Sequence, residues 1–153
     1  MKVFVTGVCG QLGYGVVNEL ARRGHQSVGS DIQEVYSGVA DESAVTMVPY
    51  VQLDITDKDT VSKVIDEVKP DVIVHCAAWT AVDAAEDEEN KKKVDAINHL
   101  GTQYIAEAAK TVDAKMVYIS TDYVFDGTKE GLYEVDDVPN PINVYGKTKL
   151  AGE

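Results

Sequence analysis

Short apolar runs alternate with helical patterns along almost the whole chain, and this alternation constrains the fold more than any other feature. The apolar runs span residues 3–6, 26–30, 48–53, 71–77 and 115–120. Apolar side chains at helical spacing predict helices over 12–23, 57–69 and 94–110, and from about residue 141. Strands alternating with helices at this spacing form βαβ units. The sequence therefore predicts an α/β fold, a Rossmann-like doubly wound parallel sheet with helices on both faces.

Two helix starts and one loop follow from local residue types. Thr56 is a candidate N-cap for the helix over 57–69, because a threonine hydroxyl can accept a bond from a free backbone N–H. Asn140 and Pro141 have the residue types of an N-cap and a first helical position. Residues 32–46 show no sustained period and predict a loop with room for a short helix.

Composition excludes several function classes. The chain has 153 residues, 44% of them hydrophobic, which suits one globular domain. Its net charge of −12 argues against binding nucleic acid or an anionic membrane surface. Cys9 and Cys76 form no CxxC pair, so neither a disulfide framework nor a metal site is expected. The N-terminus does not resemble a signal peptide, so a cytoplasmic location is expected.

A glycine-rich turn joins the first strand to the first helix. Gly7, Gly10 and Gly13 have GxxGxxG spacing, with Gln11 and Leu12 between the last two. Glycine lets the chain turn sharply, lets a pyrophosphate approach the backbone and lets the helix pack on the strand. The free N–H groups at the helix start favour an anion. The turn therefore predicts a dinucleotide site, the alternative being three packing glycines in a domain that binds nothing.

Further candidates for the dinucleotide lie at the ends of later strands. Asp31 lies 18 positions after Gly13, where a carboxylate can accept hydrogen bonds from ribose hydroxyls. It would repel a 2′-phosphate, which favours NAD over NADP, although an aspartate in a loop or helix cap is the alternative. Asp54 and Ile55 follow the third strand, near the expected place of an adenine ring. Ala77 and Ala78 follow the fourth, with little bulk against a cofactor.

Tyr145 and Lys149 are the candidate acid–base pair. They lie four positions apart in a predicted helix and so share one face. An ammonium beside a phenol favours the phenolate and lowers the tyrosine pKa, which suits proton transfer near neutral pH. Thr121, at the end of the fifth strand, can hydrogen-bond the same substrate oxygen. The alternative is a surface helix with its tyrosine on the core side.

Five longer strings carry a resemblance to a known family. They are TGVCGQLG, LDITD, KPDVIVHCAAWTAVDAAE, YISTDYVFDG and NPINVYGKTKLAGE. Together they resemble the extended short-chain dehydrogenase/reductase superfamily, and within it the dTDP-4-dehydrorhamnose reductases. The resemblance implies reduction of the 4-keto group of a nucleotide sugar, dTDP-4-dehydrorhamnose, to dTDP-rhamnose, with NADH or NADPH as cofactor.

The resemblance also implies a role for individual residues. Thr121, Tyr145 and Lys149 match the catalytic threonine, tyrosine and lysine, and Thr121, Asp122 and Tyr123 match substrate contacts. Asn98 matches a helix asparagine that supports the active site. The whole expected cofactor set is Gly7, Gly10, Gln11, Leu12, Gly13, Asp31, Asp54, Ile55, Ala77, Ala78, Thr80, Asn98, Tyr145 and Lys149.

The sequence departs from the family pattern in ways that leave alternatives open. His75 and Trp79 stand where asparagine and tyrosine are frequent, and His75 is expected to be a hydrogen-bonded core residue. Residues 1–153 are expected to form the NAD(P)-binding domain alone, without the C-terminal substrate domain. A homodimer is a further expectation. The alternative functions are a non-catalytic, nucleotide-binding regulatory relative and a nucleotide-sugar epimerase or dehydratase of the same superfamily.

Overall fold

The computed structural model describes residues 1–36 and 48–153, so most of the predicted loop over 32–46 lies outside the described residues. Its strands are β1 (Lys2–Thr6), β2 (Gln26–Asp31), β3 (Tyr50–Gln52), β4 (Val72–His75) and β5 (Lys115–Tyr118). Its α-helices are α1 (Gln11–Arg22), α2 (Lys58–Val68), α3 (Glu88–Asp95), α4 (Thr102–Thr111) and α5 (Val144–Ala151). A π-helical turn (Ala96–Gly101) joins α3 to α4, and short 3₁₀ turns span Asp83–Glu86 and Asp122–Val124.

The five strands form one parallel sheet in the order β3-β2-β1-β4-β5. In the centre of the sheet Val5 lies opposite Gly29 of β2 and Val74 of β4. The carboxyl ends of all strands meet at one edge, because the strands are parallel. The predicted Rossmann-like parallel sheet is confirmed.

The sheet has an apolar core on each face. On one face Phe4 and Ile73 pack with Ile65 of α2 and Ile105 of α4. On the other face Val3, Val5 and Val8 pack with Val17 of α1. The side chains of successive β1 residues therefore pack into opposite cores, because successive side chains of a strand point to opposite faces of the sheet. Helices on both faces are confirmed.

The two predicted N-caps are wrong, the first by one residue and the second by three. Asp57, rather than Thr56, caps α2, because its carboxylate accepts from the Asp59 and Thr60 amides. Asn143, rather than Asn140, caps α5, and its Oδ1 accepts from Gly146 N at 2.7 Å. In each case several polar residues adjoin the helix start, and only the one in register with the first free amides can cap it.

The predicted helix over 94–110 is longer and less regular than expected. It begins at Glu88 and passes through the π-helical turn before α4. The acidic side chains at its start lie on an exposed surface, where Glu88 pairs with Lys91 at 2.5 Å.

Among the described residues no helix has both the length and the apolar character needed to cross a membrane.

Candidate active site

A cavity of about 720 Å³ lies at the carboxyl ends of the strands. Ligands bind at this edge in open α/β sheets, where neighbouring connections leave a crevice. Thirteen of the fourteen residues predicted to contact the cofactor line it: Gly7, Gly10, Gln11, Leu12, Gly13, Asp31, Asp54, Ile55, Ala77, Ala78, Thr80, Tyr145 and Lys149. The fold thus brings both ends of the predicted site, separated by more than a hundred residues, into one cavity.

The glycine turn has no room for side chains at two of its three positions. Gly7 has a φ of +72°, and a Cβ there would lie 2.7 Å from Ala77 N. A Cβ on Gly13 would lie 2.2 Å from Gly7 O. No side chain of the described residues caps α1 at Gly10. Because the first amides of a helix have no partner within it, they remain available to an anion in the cavity.

Asp31 connects the end of β2 to the glycine turn. Its Oδ2 accepts from Cys9 N at 3.0 Å, and its Oδ1 accepts from Ile32 N at 2.8 Å. Burial, and secondarily the Asp31 carboxylate, raises the pKa of the Cys9 thiol. The thiol is therefore protonated near neutral pH. Asp31 stabilises the turn and also presents a carboxylate to the cavity.

Lys149 is almost completely buried, with 4% of its surface exposed. Its Nζ donates to Ile119 O at 2.7 Å and lies 4.1 Å from the centre of the Tyr118 ring. Burial lowers the pKa of Lys149 to about 8. The carbonyl and the ring face favour a cation at this place, and burial opposes it.

Tyr145 contributes to the same cavity from one turn earlier in α5. Its ring packs edge-on against Tyr123, with the ring centres 5.6 Å apart. Among the described residues the Lys149 ammonium bonds to Ile119 O rather than to the Tyr145 hydroxyl. The influence of Lys149 on the phenol stays a prediction.

The three residues predicted to contact the substrate follow β5 and lie outside the lining of the cavity. Thr121 Oγ1 donates to Asp122 Oδ1 at 3.1 Å and accepts from Tyr123 N at 3.3 Å. Tyr123 is 43% exposed. These contacts fix the short turn after β5, and a substrate role for Thr121, Asp122 and Tyr123 stays a prediction.

Asn98 lies behind the cavity wall rather than in its lining. It is 1% exposed, its Oδ1 accepts from Trp79 N at 2.8 Å, and its Nδ2 donates to Trp79 O at 3.1 Å. The same Nδ2 donates to Thr148 Oγ1 at 3.3 Å. Asn98 thus joins the chain after β4 to α5, which carries Tyr145 and Lys149.

The sequence reasoning missed several lining residues. Thr6, Ile119 and Ser120 line the cavity because they stand at the ends of β1 and β5, so their strand-end positions could have identified them. Lys93 also lines it, and its Nζ lies 5.5 Å from the centre of the Trp79 ring. No local signal distinguishes Lys93 from the neighbouring surface lysines. Within 1–36 and 48–153, no three His, Cys, Asp or Glu side chains form a metal-binding group.

The parallel sheet, the glycine turn and the cavity at the strand ends define a Rossmann-like α/β protein. More narrowly, the chain belongs to the family described as "RmlD substrate binding domain", whose model matches residues 1–153.

Two curated relatives match almost the whole of this chain. The dTDP-4-dehydrorhamnose reductase of Aggregatibacter actinomycetemcomitans is 38% identical over 99% of this chain and 45% of its own length. The methionine adenosyltransferase 2 subunit beta of Bos taurus is 36% identical over 99% of this chain and 41% of its own. The chain thus spans less than half the length of these two curated relatives.

A solved structure, the dTDP-4-dehydrorhamnose reductase of Bacillus anthracis in complex with NADP, superposes with a TM-score of 0.82. It is 37% identical, and the match covers 99% of this chain and 47% of that one.

Proposed function

We propose that the chain is the dinucleotide-binding part of an NAD(P)H-dependent reductase acting on the 4-keto group of a nucleotide sugar, dTDP-4-dehydrorhamnose. The observation that carries the proposal is the glycine turn, which excludes side chains at Gly7 and Gly13 and lies in one cavity with Tyr145 and Lys149. The reductases of the family, one of them in complex with NADP, support the reaction class.

The residues present fit a nicotinamide dinucleotide. Gly7, Gly10 and Gly13 leave backbone exposed to the pyrophosphate, and the first amides of α1 bind its charge. Asp31 accepts from the adenosine ribose hydroxyls, which favours NADH over NADPH. Asp54 and Ile55 would hold the adenine, and Ala77, Ala78 and Thr80 line the cavity between the glycine turn and α5.

A bound reduced dinucleotide supplies the hydride. Tyr145 donates a proton to the carbonyl oxygen of the sugar, which prevents negative charge from building up there. Lys149 binds the nicotinamide ribose and, with a pKa of about 8, is largely cationic near neutral pH, so it favours the phenolate that Tyr145 becomes. Thr121, Asp122 and Tyr123 bind the sugar nucleotide.

A second candidate function is nucleotide binding without turnover, in a regulatory protein. The similarity to methionine adenosyltransferase 2 subunit beta favours it, since the identity of 36% is close to that of the reductases. Tyr145 and Lys149, together in the cavity, favour the reductase. Turnover of dTDP-4-dehydrorhamnose by the full-length gene product distinguishes the two, because both predict dinucleotide binding and only one predicts oxidation of NADH.

The first experiment is calorimetric titration of this chain with NADH and with NADPH. We expect tighter binding of NADH. The Gly13→Ala variant should bind at least about tenfold more weakly, a loss of ~1.4 kcal/mol, because its methyl group meets Gly7 O at 2.2 Å. Gly15→Ala in the same helix is the matched control, since nothing lies within 4 Å of its added methyl. Failure of the wild-type chain to bind either dinucleotide would contradict the proposal.

A further inference from the structure

A row of buried polar side chains begins at the cavity wall, where Thr6 and His75 line the cavity, and continues into the interior. We call Thr6, His75, Thr102 and Asn98 the His75 network, and none of the four is more than 2% exposed. Thr6 Oγ1 lies 2.8 Å from His75 Nδ1, and His75 Nε2 lies 3.2 Å from Thr102 Oγ1. Thr102 Oγ1 donates to Asn98 O at 2.7 Å. Buried polar groups need partners, so the protons of this network can be assigned.

Thr6 determines the direction of the bonds. Its hydroxyl oxygen accepts from Cys76 N and from Ala77 N, both at 3.1 Å. A hydroxyl has two acceptor positions and one proton. With both acceptor positions used by backbone amides, the hydroxyl proton of Thr6 is donated to His75 Nδ1, which must be unprotonated.

The assignment at Thr6 fixes the rest of the network. A neutral imidazole with a bare Nδ1 carries its proton on Nε2. Nε2–H then donates to Thr102 Oγ1, and Thr102 donates onward to Asn98 O. Each hydroxyl proton and ring nitrogen has a partner only in this arrangement. A protonated Nδ1 would face an oxygen with no free acceptor position.

The network joins two parts of the cavity wall. At one end, Thr6 holds the amides of Cys76 and Ala77, which line the cavity beside the glycine turn. At the other end lies Asn98, whose side chain bonds to Trp79 and to Thr148 of α5. His75 therefore connects the β4 end of the cavity, through Thr102, to the backbone of Asn98, whose side chain separately contacts α5.

We propose that His75, as the neutral Nε2–H tautomer, is a positioning residue that sets the place of the Cys76 and Ala77 backbone in the cofactor cavity. It acts through Thr6, whose hydroxyl oxygen accepts from both amides. The relevance to the cofactor rests on the proposed function, whereas the tautomer and the backbone position do not.

The surroundings of His75 agree with a neutral ring. Burial, and secondarily the Lys149 ammonium, lowers the pKa of His75 to about 3. The ring stacks on Tyr118, with centres 6.2 Å apart, and the Tyr118 hydroxyl donates to Lys149 O at 2.9 Å.

Nitrogen-15 NMR of the wild-type chain tests the tautomer directly. We expect the His75 ring to show an unprotonated Nδ1 and a protonated Nε2, unchanged between about pH 5 and pH 8, the range in which an ordinary histidine titrates. An Nδ1–H tautomer, or protonation of the ring within that range, would overturn the proposal.

Three variants separate positioning from simple core stability. In His75→Asn the amide Oδ1 takes the topological place of Nδ1 and can still accept from Thr6, whereas His75→Leu can accept from nothing. We expect the Cys76 and Ala77 amide resonances to shift strongly in His75→Leu and little in His75→Asn. NADH binding should weaken about tenfold in His75→Leu and by less than about threefold in His75→Asn. His99→Asn is the control, because His99 bonds Asp95 and lies outside the network.

The outcomes distinguish this proposal from the proposed function. If His75→Leu is less stable but keeps wild-type amide shifts and NADH affinity, His75 is only a core residue and the proposal is wrong. If the wild-type chain binds no dinucleotide, the proposed function fails, and the amide shifts still decide whether His75 positions the wall. Should His75→Leu not fold, the nitrogen-15 spectrum of the wild-type ring still decides the proposal, because an Nδ1–H tautomer could not accept the Thr6 proton and would overturn it.

Discussion

At the scale of single residues, the buried Lys149 makes stability depend on pH. Its pKa is lowered by burial from 10.5 to about 8, so between these values the unfolded chain binds more protons at this residue than the folded chain. The free energy of unfolding contributed by Lys149 therefore rises with pH through that range. We expect the wild-type chain to gain stability over Lys149→Met as pH increases from about 8 to 10.5 in urea titrations.

The comparison with a variant is needed because other groups titrate nearby. Burial raises the pKa of Cys76 to about 11 and of Tyr118 to about 12. Both shifts make the free energy of unfolding fall as pH rises, which is opposite to the effect of Lys149. Comparing wild type with Lys149→Met removes the part of these contributions that does not depend on Lys149. Lys147→Met, on the exposed side of the same helix, is the control and should show no such trend. A pH-independent difference for Lys149→Met would show that the Lys149 charge is not destabilised by burial.

At the scale of elements, the start of α5 determines how firmly Tyr145 and Lys149 are held. Asn143 Oδ1 accepts from Gly146 N at 2.7 Å, and Glu86 Oε1 accepts from Val144 N at 2.6 Å. Removing an asparagine N-cap typically costs about 1 kcal/mol. We expect Asn143→Ala to lower the free energy of unfolding by about that amount, measured by chemical denaturation.

Asn140→Ala is the matched control for Asn143→Ala. Asn140 Nδ2 donates to Asp126 Oδ2 at 2.8 Å in an exposed loop and does not touch α5. Asn140→Ala should therefore lower the free energy of unfolding clearly less than Asn143→Ala does. Equal losses of unfolding free energy in the two variants would mean that α5 does not depend on its cap. A larger loss in Asn140→Ala would favour the helix start predicted from the sequence.

How far the sequence predicts each element depends on the range of the interactions that fix it. The strands and the glycine turn were predicted because apolar period and glycine spacing are local signals, as at Val3, Val5 and Gly13. The caps were misplaced because Thr56 and Asp57, or Asn140 and Asn143, differ only in register. His75 meets Thr6 and Thr102, which lie 69 and 27 positions away in sequence, through the fold rather than through neighbouring positions. The sequence predicted a bonded His75, and that is confirmed, but not its partners.

At the scale of the whole molecule, the sheet has an edge that no strand within the described residues covers. β5 is the last strand in the order, and it pairs with β4 on one side. Val117 on this strand is 47% exposed. Unpaired strand edges accept further strands, from the same protein or from another copy. The homodimer predicted from the sequence would have a natural contact here.

Hydrogen exchange distinguishes a free β5 edge from a covered one. Lys115 N donates to Asp71 O beside β4, so alternation directs the Val117 amide to the same side and the Met116 and Tyr118 amides to the other. At low concentration we expect Met116 and Tyr118 to exchange at least about tenfold faster than Val117. Protection of these two amides that grows with protein concentration would identify β5 as the contact between copies. Equal protection of all three amides at every dilution would mean that the β5 edge is already covered within one chain. Protection by a second copy would instead weaken as the protein is diluted.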